Sequence, residues 1–506
     1  MEKRAGLLIA ILIIIVASCR IWAALSVPYL SDDTSYENLR MTQNVSLSNL
    51  ATDPLSFGGR NLIVNPVATN MLALFHNTTN TIFGYKLILN FIASLQIAVI
   101  FLIALRLARK PVYAILVAAL AACVPVQYLV TLNSVSIVPI ALIFFLLAIY
   151  YYIAHLQQPT KTRFLLCIAL FFFCAMLHPL FLVIIIGFFI YMIYCRVVHL
   201  RVQRFELEVL TAAFLVAVVV DYTIYSRAFL AQGISAFYQS TQFVPYIHLS
   251  QILPLLPQMG LIIFAAAMFT LFQAFTLENK SSQSAFIFAG IITSTFLAML
   301  FRFISADIGL LLISVISVLL LTNFFNYIDD YFSQTKIHNH TIKIILGIWL
   351  VFFILSIIPT LIYTKDTIAQ STQPQLVDAF RWINSVAEPD ATVVVPIGDA
   401  QTAMYFAQRK TIMDQNVLLV PDAQSRFDAI YELYTTPYPT TILAILKSVG
   451  VTKQAPAYIV FPKIAMPSLQ LPAGATELGY QTGCFAVVFN TDYVTIFKSL
   501  CEVEER

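Results

Sequence analysis

Two adjacent carboxylates, Asp32 and Asp33, are the residues whose type and position are best suited to chemistry in this 506-residue chain. They follow closely on the first long apolar run of the sequence. Membrane interfaces favour Trp, Tyr, Lys and Arg, so the anchoring of a span does not call for two acids there. A carboxylate near a helix N-terminus stays ionised, as a general base or a metal ligand must be. Residue chemistry favours equally the alternative that both acids only cap a helix and keep the segment soluble.

The residues after this pair predict a helix. Thr34 and Glu37 fit the S/T-x-x-E capping box that marks a helix start. In such a helix Asp33, either Tyr36 or Glu37, and Arg40 lie on one face, because residues three and four positions apart are neighbours. Tyr36 and Arg40 are therefore candidate substrate-binding residues.

Either acid is a candidate catalytic base. Asp32 is slightly favoured, because Asp33 is better placed beside Thr34 to support the helix start. No His or third acid lies at ligand spacing beside the pair. The sequence therefore predicts no metal or other cofactor, although the site is compatible with a divalent metal.

The composition indicates a polytopic α-helical membrane protein. The chain is 59% hydrophobic and 11% charged, whereas soluble domains have about 25% charged residues. Eleven apolar runs are long enough to cross about 30 Å of hydrocarbon as helices. These predicted spans are 5–25, 82–105, 112–130, 135–154, 164–177, 179–195, 207–225, 258–276, 284–301, 308–325 and 342–362. The first is too long for a signal peptide, and no small-residue cleavage site follows it cleanly.

The distribution of basic residues predicts the orientation in the plasma membrane. With the N-terminus in the cytoplasm, the loops on that side hold Arg106, Arg109, Lys110, Lys161, Arg163, Arg196, Arg201, Arg204, Lys280, Lys336 and Lys343. The opposite side holds Arg20, Arg40, Arg60, Lys86, Arg227, Arg302 and Lys365. This bias follows the positive-inside rule, and the odd span count then places the loop 26–81 and the tail outside. The net charge of +3 is explained by the basic loop residues that orient the spans, so no nucleic-acid partner is expected.

The tail after the last span predicts a second domain. Residues 1–363 form the membrane domain, and residues 364–506 form an extracytoplasmic α/β domain in this interpretation. QLVDAFRWINSV and DAQSRFDAIYELY are helical in pattern, whereas ATVVVP, PAYIVF and CFAVVFNTDYVTIFK are typical of strands. Cys484 and Cys501 lie in this domain, where a disulfide can persist, and the sequence leaves open whether they are bridged.

Four further residues on the outer side are candidates for substrate binding. His178 precedes a proline where two spans turn, and it is either a ligand-binding imidazole or a capping residue. Arg227 and His248 lie in the aromatic-rich segment 226–257, which we expect to lie along the membrane surface. Arg302 lies at the membrane edge, where its guanidinium could bind a phosphate through two hydrogen bonds. Alternatively, it forms a structural ion pair with Asp307, which follows closely in the sequence.

The outer acidic pair, the element GGRNLIVNP at Gly58–Pro66, a span ending RLARK and a following span reading AILVAALAACVPV together resemble the GT-C integral-membrane glycosyltransferases. The resemblance covers roughly residues 1 to 200 and is closest to archaeal members related to protein mannosyltransferases and aminoarabinose transferases. It implies a catalytic acid in the outer pair and a substrate contact at Arg60. It also implies that the segment 226–257 seats a lipid carrier and that Arg302 holds the donor phosphate.

Two departures from the family pattern concern specificity. The tail is similar to the outer domain of oligosaccharyltransferase catalytic subunits, but Val394–Gly398 stands where the WWDYG signature is expected, with Arg409, Thr411 and Asp414 downstream. Only the glycine is kept, which places peptide-sequon recognition in doubt, and Asp399 beside it is expected to cap the next helix. Related mannosyltransferases also carry a second acid in the turn that reads Thr131–Ser134 here.

The sequence therefore predicts an inverting glycosyltransferase that uses a polyprenyl-phosphate-linked sugar. The acceptor is a lipid-linked glycan or a protein at the outer face of the bilayer. The alternatives are en bloc glycan transfer of the oligosaccharyltransferase type, and a non-catalytic lipid-binding scaffold or transporter. A solute transporter is less favoured, because transporters place ionisable groups near mid-membrane whereas the acids here cluster at outer ends.

Overall fold

The computed structural model describes residues 2–43, 50–79, 81–233, 257–276, 283–335, 340–420, 422–463 and 474–501. Most of the first 370 residues are helical, as the apolar runs predict. The helices in this part are Glu2–Leu25, Asp33–Gln43, Pro66–Thr79, Ile82–Leu107, Pro111–Ala121, Pro125–Thr131, Val138–Gln157, Lys161–Leu177, Leu180–Val197, Arg204–Gln232, Leu261–Thr276, Gln283–Leu300, Ala306–Ser333 and Thr341–Ala369.

Each of the eleven predicted spans lies within or across these helices, and the polytopic helical class is confirmed. In the described residues, eight helices are long and apolar enough to cross a membrane. Pro111–Ala121 and Pro125–Thr131 pass the same test only together, as a pair bent by 49°. Lys161–Leu177 and Leu261–Thr276 have 17 and 16 residues, fewer than the roughly 20 that a straight span needs.

The bend corrects the prediction of one continuous helix over 112–130. Pro125 is the first residue of the second segment. A proline has no N–H and its ring clashes with the carbonyl four residues earlier, so a helix tends to kink or break there. The chain therefore turns before the outer turn at residues 131–135, and that turn packs beside the candidate site.

Close helix packing in the bundle depends on two small residues. A Cβ atom added at Gly290 would lie 2.2 Å from the carbonyl oxygen of Gly187. Helices Leu180–Val197 and Gln283–Leu300 thus touch backbone to backbone, as small residues allow in membrane bundles.

The loop after the first span forms a compact layer on one end of the bundle. Helix Asp33–Gln43 is followed by an antiparallel hairpin of Leu50–Asp53 and Arg60–Ile63. Gly58 and Gly59 have φ values of 77° and 117° at its turn, in the region that glycine tolerates without a steric penalty.

The tail folds as the predicted α/β domain. Its helices are Pro374–Val386, Ala400–Ala407, Ala423–Thr435 and Pro439–Ser448. A five-stranded sheet has the order Lys410–Thr411, Thr392–Val394, Ala457–Pro462, Val494–Ser499, Phe485–Asn490. The first three strands are parallel and the last two pair antiparallel. Cys484 and Cys501 form a disulfide at the base of the last hairpin.

The outer loop and the tail lie on the same face of the bundle. Ser31 Oγ donates to the carbonyl of Thr367 at 2.6 Å, and Thr372 N donates to the carbonyl of Leu30 at 2.9 Å. Helix Thr341–Ala369 runs without a break across residue 363, so the domain boundary at 363/364 stays a prediction. The continuous contacts mean that the tail is positioned directly over helix Asp33–Gln43, which is called the first outer helix below after its predicted side of the membrane.

Candidate functional site

Asp32 caps the first outer helix. Its carboxylate accepts the Ser35 N–H at 3.1 Å and the Ser35 hydroxyl at 2.5 Å. The helix begins at Asp33, so the expected start by a capping box at Thr34 is wrong by two residues. Asp fits this role as well as Thr does, because its short side-chain oxygen reaches the N–H three residues on.

A hydrogen-bonded chain ties Asp32 to the bent span. Ser35 Oγ, which donates to Asp32, also accepts the N–H of Val135 at 2.6 Å. In the same turn, Asn133 Nδ2 donates to Ser31 Oγ at 2.7 Å, and Asn38 Nδ2 donates to the carbonyl of Val135 at 2.8 Å. Amides and backbone groups thus occupy the turn where the family resemblance suggests a second acid. Through Ser35, these groups hold Asp32 in position.

The electrostatic state of Asp32 suits proton abstraction. The side chain is half-buried, and burial, opposed by the Ser35 hydrogen bonds, raises the pKa of Asp32 to about 6. A carboxylate with that pKa is mostly ionised at neutral pH and more basic than an ordinary Asp. It can therefore accept a proton from a bound hydroxyl.

Asp33 has a different environment from its neighbour. Its carboxylate accepts the N–H groups of Gln401 and Thr402 at 3.1 and 2.7 Å and the Thr402 hydroxyl at 2.9 Å. These donors lie at the N-terminus of helix Ala400–Ala407. Burial outweighs the hydrogen bonds and raises the pKa of Asp33 well above its usual range. Asp33 thus joins the outer loop to the tail.

This contact corrects the role expected for Asp399. Asp399 occupies the N-cap position of helix Ala400–Ala407 but makes no side-chain capping hydrogen bond. Asp33 accepts the helix N–H groups instead, across 368 and 369 residues of sequence. Asp399 is buried, and burial together with the Asp33 charge holds the pKa of Asp399 well above its usual range.

The predicted common face of the first outer helix is confirmed, and it packs on the tail. Tyr36 is fully buried, with its hydroxyl accepting the Leu30 N–H at 3.1 Å and lying 3.3 Å from Thr372 Oγ1. Arg40 is also buried and donates to Gln401 Oε1 at 2.6 Å and to Asp53 Oδ1 at 2.5 Å. In this arrangement both side chains bind protein groups, and their contact with a substrate stays a prediction.

Arg60 contacts the tail in a second buried ion pair. Its guanidinium lies 3.2 Å from Asp414 Oδ1, donates to the carbonyl of Leu418 at 2.8 Å and stacks on the Phe57 ring at 4.5 Å. Glu37 lies nearby, and burial together with the Asp414 charge raises the pKa of Glu37 to about 7. A substrate contact by Arg60 would compete with this pair and stays a prediction.

Lys86 is a residue of this region that sequence reasoning missed. It is buried, and its ammonium donates to the carbonyls of Ala24, Val27 and Tyr29 at 3.0, 2.8 and 2.9 Å. Those carbonyls belong to the chain that leads from the first span to Asp32. A lysine inside the beginning of an apolar run was the available signal, since charges within spans are expensive and need partners.

Three further candidate substrate-binding residues, His178, Arg227 and Arg302, are among the described residues. His178 Nδ1 accepts the Leu180 N–H at 3.0 Å, which is the capping role that the sequence left open. Arg227 is exposed in helix Arg204–Gln232, so its expected place in a surface loop is wrong: the helix continues seven residues beyond the predicted span end at 225. His248 lies outside the described residues.

Arg302 lies in the short connection between helices Gln283–Leu300 and Ala306–Ser333. It is half-buried with a φ of 61°, a left-handed conformation that is strained for a residue with a side chain. A small apolar cavity is lined by Val138, His178 and Ile308. In the described residues, no three or more His, Cys, Asp or Glu side chains are grouped to hold a metal ion.

No family model and no curated protein sequence matches the chain. Its fold is similar to solved GT-C structures, which confirms the predicted GT-C fold. The oligosaccharyltransferase of Archaeoglobus fulgidus in the apo form matches with a TM-score of 0.62 and 10% identity, over 89% of this chain and 69% of that protein.

Two other structures match similarly. The Archaeoglobus fulgidus oligosaccharyltransferase AglB in complex with an inhibitory peptide and a dolichol-phosphate gives a TM-score of 0.60 and 11% identity, over 90% of this chain and 69% of that protein. ArnT from Cupriavidus metallidurans in the apo state gives 0.58 and 12%, over 97% of both chains. At these identities the comparisons concern the fold.

Proposed function

We propose that the chain is a membrane glycosyltransferase that moves a sugar from a polyprenyl-phosphate donor to a hydroxyl of a lipid-linked glycan or protein acceptor. The observation that carries this proposal is the Asp32 carboxylate, half-buried, oriented by Ser35 and raised in pKa to about 6. The GT-C fold supports the class, and the dolichol-phosphate bound by a structural neighbour supports a lipid phosphate in the donor.

In the proposed step, the Asp32 carboxylate accepts the proton of the acceptor hydroxyl as its oxygen attacks the anomeric carbon. The bond from that carbon to the donor phosphate breaks, and the polyprenyl phosphate leaves with the electron pair. Direct displacement of this kind inverts the anomeric centre. No part of the step requires a metal ion, so activity should persist in EDTA.

Arg302 is the proposed contact of the leaving phosphate, with exposed Arg227 as a second basic group on the same side. A guanidinium can donate two parallel hydrogen bonds to a phosphate while remaining charged. The left-handed backbone of Arg302 belongs to a Schellman C-cap of helix Gln283–Leu300, in which Phe303 N–H donates to the Ala298 carbonyl at 2.8 Å and Arg302 N–H to the Met299 carbonyl at 3.1 Å. Stabilising the charge that develops on the phosphate lowers the barrier.

The test is transfer by the purified chain in lipid vesicles, with a panel of radiolabelled polyprenyl-phosphate sugars and with the Asp32→Asn variant as control. We expect one donor to give an inverted product that depends on Asp32. Transfer only from a pyrophosphate-linked oligosaccharide would replace the proposal with en bloc glycan transfer. Binding of polyprenyl phosphate without any transfer would favour a scaffold.

A further inference from the structure

Arg20 is a buried charge in the first span that the proposed transfer step does not use. The residue is 1% exposed. Its Nη2 donates to the Thr131 hydroxyl at 2.6 Å, and its guanidinium packs over the Tyr128 ring at 4.6 Å. In the described residues its partners are therefore a hydroxyl and an aromatic ring, and neither is an acid. Charges inside spans are costly and are retained mostly for function, so this arginine calls for a functional explanation.

Both partners of Arg20 belong to the second half of the bent span, helix Pro125–Thr131. Thr131 is its last residue, and the Thr131 hydroxyl also donates to the carbonyl of Gln127 at 2.5 Å. A cation at the C-terminus of a helix is favoured by the partial negative charge of the free carbonyls there. Arg20 thus fixes the end of this short helix against the first span.

The turn that follows this helix holds the candidate base. Val135 N–H donates to Ser35 Oγ at 2.6 Å, and Ser35 Oγ donates to Asp32 Oδ1 at 2.5 Å. The orientation of the Asp32 carboxylate therefore depends on where the turn lies. Arg20 holds the beginning of the same turn at Thr131.

Apolar packing also presses the turn against the first span, but it is not directional. Leu132 packs with Ala23 and Ala24 in a small buried cluster. Burial of apolar surface depends on area and not on angle, whereas a hydrogen bond weakens steeply when it is misaligned. The bond from Arg20 therefore gives the first span a directional hold on the turn.

Stability alone does not require a charge at this position. Replacing buried charged groups by apolar residues of similar volume often leaves stability unchanged or raises it. Methionine has a similar reach to arginine, and the Thr131 hydroxyl would keep its bond to the Gln127 carbonyl. The orientation of the turn would nevertheless lose its link to the first span.

We propose that Arg20 is a positioning residue for Asp32, which it orients through the turn that begins at Thr131. Arg20 itself does not contact the substrate. The inference rests on the proposed function, because the orientation of Asp32 affects the rate only if Asp32 is the base. A misplacement of about 1 Å at a reacting group costs about 10²-fold. Loss of Arg20 should therefore lower kcat by roughly 10- to 100-fold and leave KM for the donor near the parent value.

The test compares Arg20→Met with the parent chain in lipid vesicles by transfer kinetics, pH profile and thermal unfolding. We expect a lower kcat at an unchanged or higher melting temperature. The Ser35 hydrogen bonds oppose the rise in the pKa of Asp32 that burial causes. When these bonds loosen, the pH midpoint of the rate should move above its parent value. Destabilisation alone would lower the rate equally at every pH.

Variants at both ends of the contact supply the controls. Thr131→Val removes the acceptor and should match Arg20→Met, and the double variant should be no slower than either, because residues in one path are not additive. Thr131→Ser keeps the hydroxyl and Arg20→Lys keeps a charged donor, so both should restore transfer at least in part. Arg106→Gln is the matched control, since Arg106 also packs over a tyrosine, Tyr150, at 4.9 Å but on the predicted cytoplasmic side; it should transfer like the parent.

Hydrogen–deuterium exchange provides a readout that does not need transfer. Helix Asp33–Gln43 and the turn 131–135 should exchange faster in Arg20→Met than in the parent or in Arg106→Gln. Unchanged exchange in these segments would overturn the positioning role, as would an unmoved pH midpoint or an equal loss of rate in Arg106→Gln. If the parent transfers sugar from no donor, the proposed function fails, and the exchange rates alone decide whether Arg20 holds the helix that Asp32 caps.

Discussion

Replacing each outer acid by its amide separates catalysis from structure, because the two side chains have different partners. In Asp32→Asn the amide oxygen can still accept the Ser35 N–H, and the new NH₂ can donate to Ser35 Oγ. Asn and Asp are comparable N-caps. We therefore expect a melting temperature close to that of the parent but a rate lower by about 10² to 10⁴, the usual contribution of a general base.

Asp33→Asn should give the reverse pattern. Asp33 uses one oxygen for Gln401 N–H and the other for Thr402. An amide supplies one acceptor and one NH₂, so one buried N–H would face another donor. An unsatisfied buried donor costs about 1–3 kcal/mol. The variant should melt lower while its rate per folded molecule stays near the parent value.

The assay is single-turnover transfer and thermal unfolding on the same preparations, with Asp32→Ala as a control for the cap. That control should lose the rate and also about 0.5–2 kcal/mol of stability. If Asp32→Asn turns over like the parent and Asp33→Asn does not, Asp33 is the base and the assignment from geometry is refuted. If both amide variants are fully active, no general base lies in this pair and the scaffold interpretation replaces the enzyme.

Four further predictions concern the pH dependence of the rate, Arg302, the disulfide and the orientation of the tail. The transfer rate should fall about tenfold per pH unit below pH 6 and level off above it, because burial raises the pKa of Asp32 to about 6 and only the carboxylate accepts a proton; a flat profile between pH 5 and 7 would exclude it as base. Arg302→Lys should impair turnover nearly as much as Arg302→Ala, since a point charge cannot reproduce the guanidinium fork, and a fully active Lys variant would make Arg302 a surface anchor. Reducing the Cys484–Cys501 disulfide, which closes a separation of 17 residues, should lower the stability of the tail by about 3 kcal/mol, measured against the Cys484→Ser variant, which should not respond to reductant. A cysteine at exposed Gln454 should be labelled in intact cells by an impermeant reagent in a Cys19→Ser background; labelling only after lysis would reverse the predicted orientation.

Burial also fixes how stability depends on pH. The folded-state pKa values of Asp32 and Glu37 are raised to about 6 and about 7, above the unfolded values near 4. Between these limits the folded protein binds more protons than the unfolded chain, so unfolding free energy falls as pH rises from about 4 to 7. Stability and activity should therefore change in opposite directions over this window, which melting and rate measurements at the same pH values can verify.

Local patterns predicted the elements of the fold, whereas contacts distant in sequence decided the site. The apolar runs and the alternating strands depend on neighbours within one element. They were predicted correctly apart from the break at Pro125 and the late end of helix Arg204–Gln232. The proline itself was the available signal, because proline favours a kink or break in a helix. Asp33 binds Gln401 and Thr402, and no periodicity in either segment indicates that pairing.

The helix start shows why the roles of the two acids were harder to assign. Asp32 and Thr34 are both good N-cap residues. The sequence pattern assigned the N-cap to Thr34, with Asp33 supporting the helix start, and Asp32 was therefore favoured as the base. In the structure Asp32 is both the cap and the more accessible acid, whereas Asp33 is withdrawn into the contact with the tail. The preference for Asp32 as base thus remains, but the reason is its environment.

Buried ion pairs hold the outer loop together and join it to the tail. Arg40 and Arg60 form buried pairs with Asp53 and Asp414, and breaking one partner of such a pair leaves an uncompensated charge. A base must be held within a fraction of an ångström of its productive position, and a short helix on a loop cannot hold it alone. Asp33 and Arg40, through Gln401 and Thr402, attach that helix to the tail on one side, and Ser35 with Val135 attaches it to the membrane bundle on the other. Arg60 with Asp414 attaches the following hairpin to the tail. A third support is Lys86, which donates to the carbonyls of Ala24, Val27 and Tyr29 in the chain that leads to Asp32. Lys86→Met should lower the rate more than it lowers donor binding, and an equal loss of both would show that Lys86 only supports the fold.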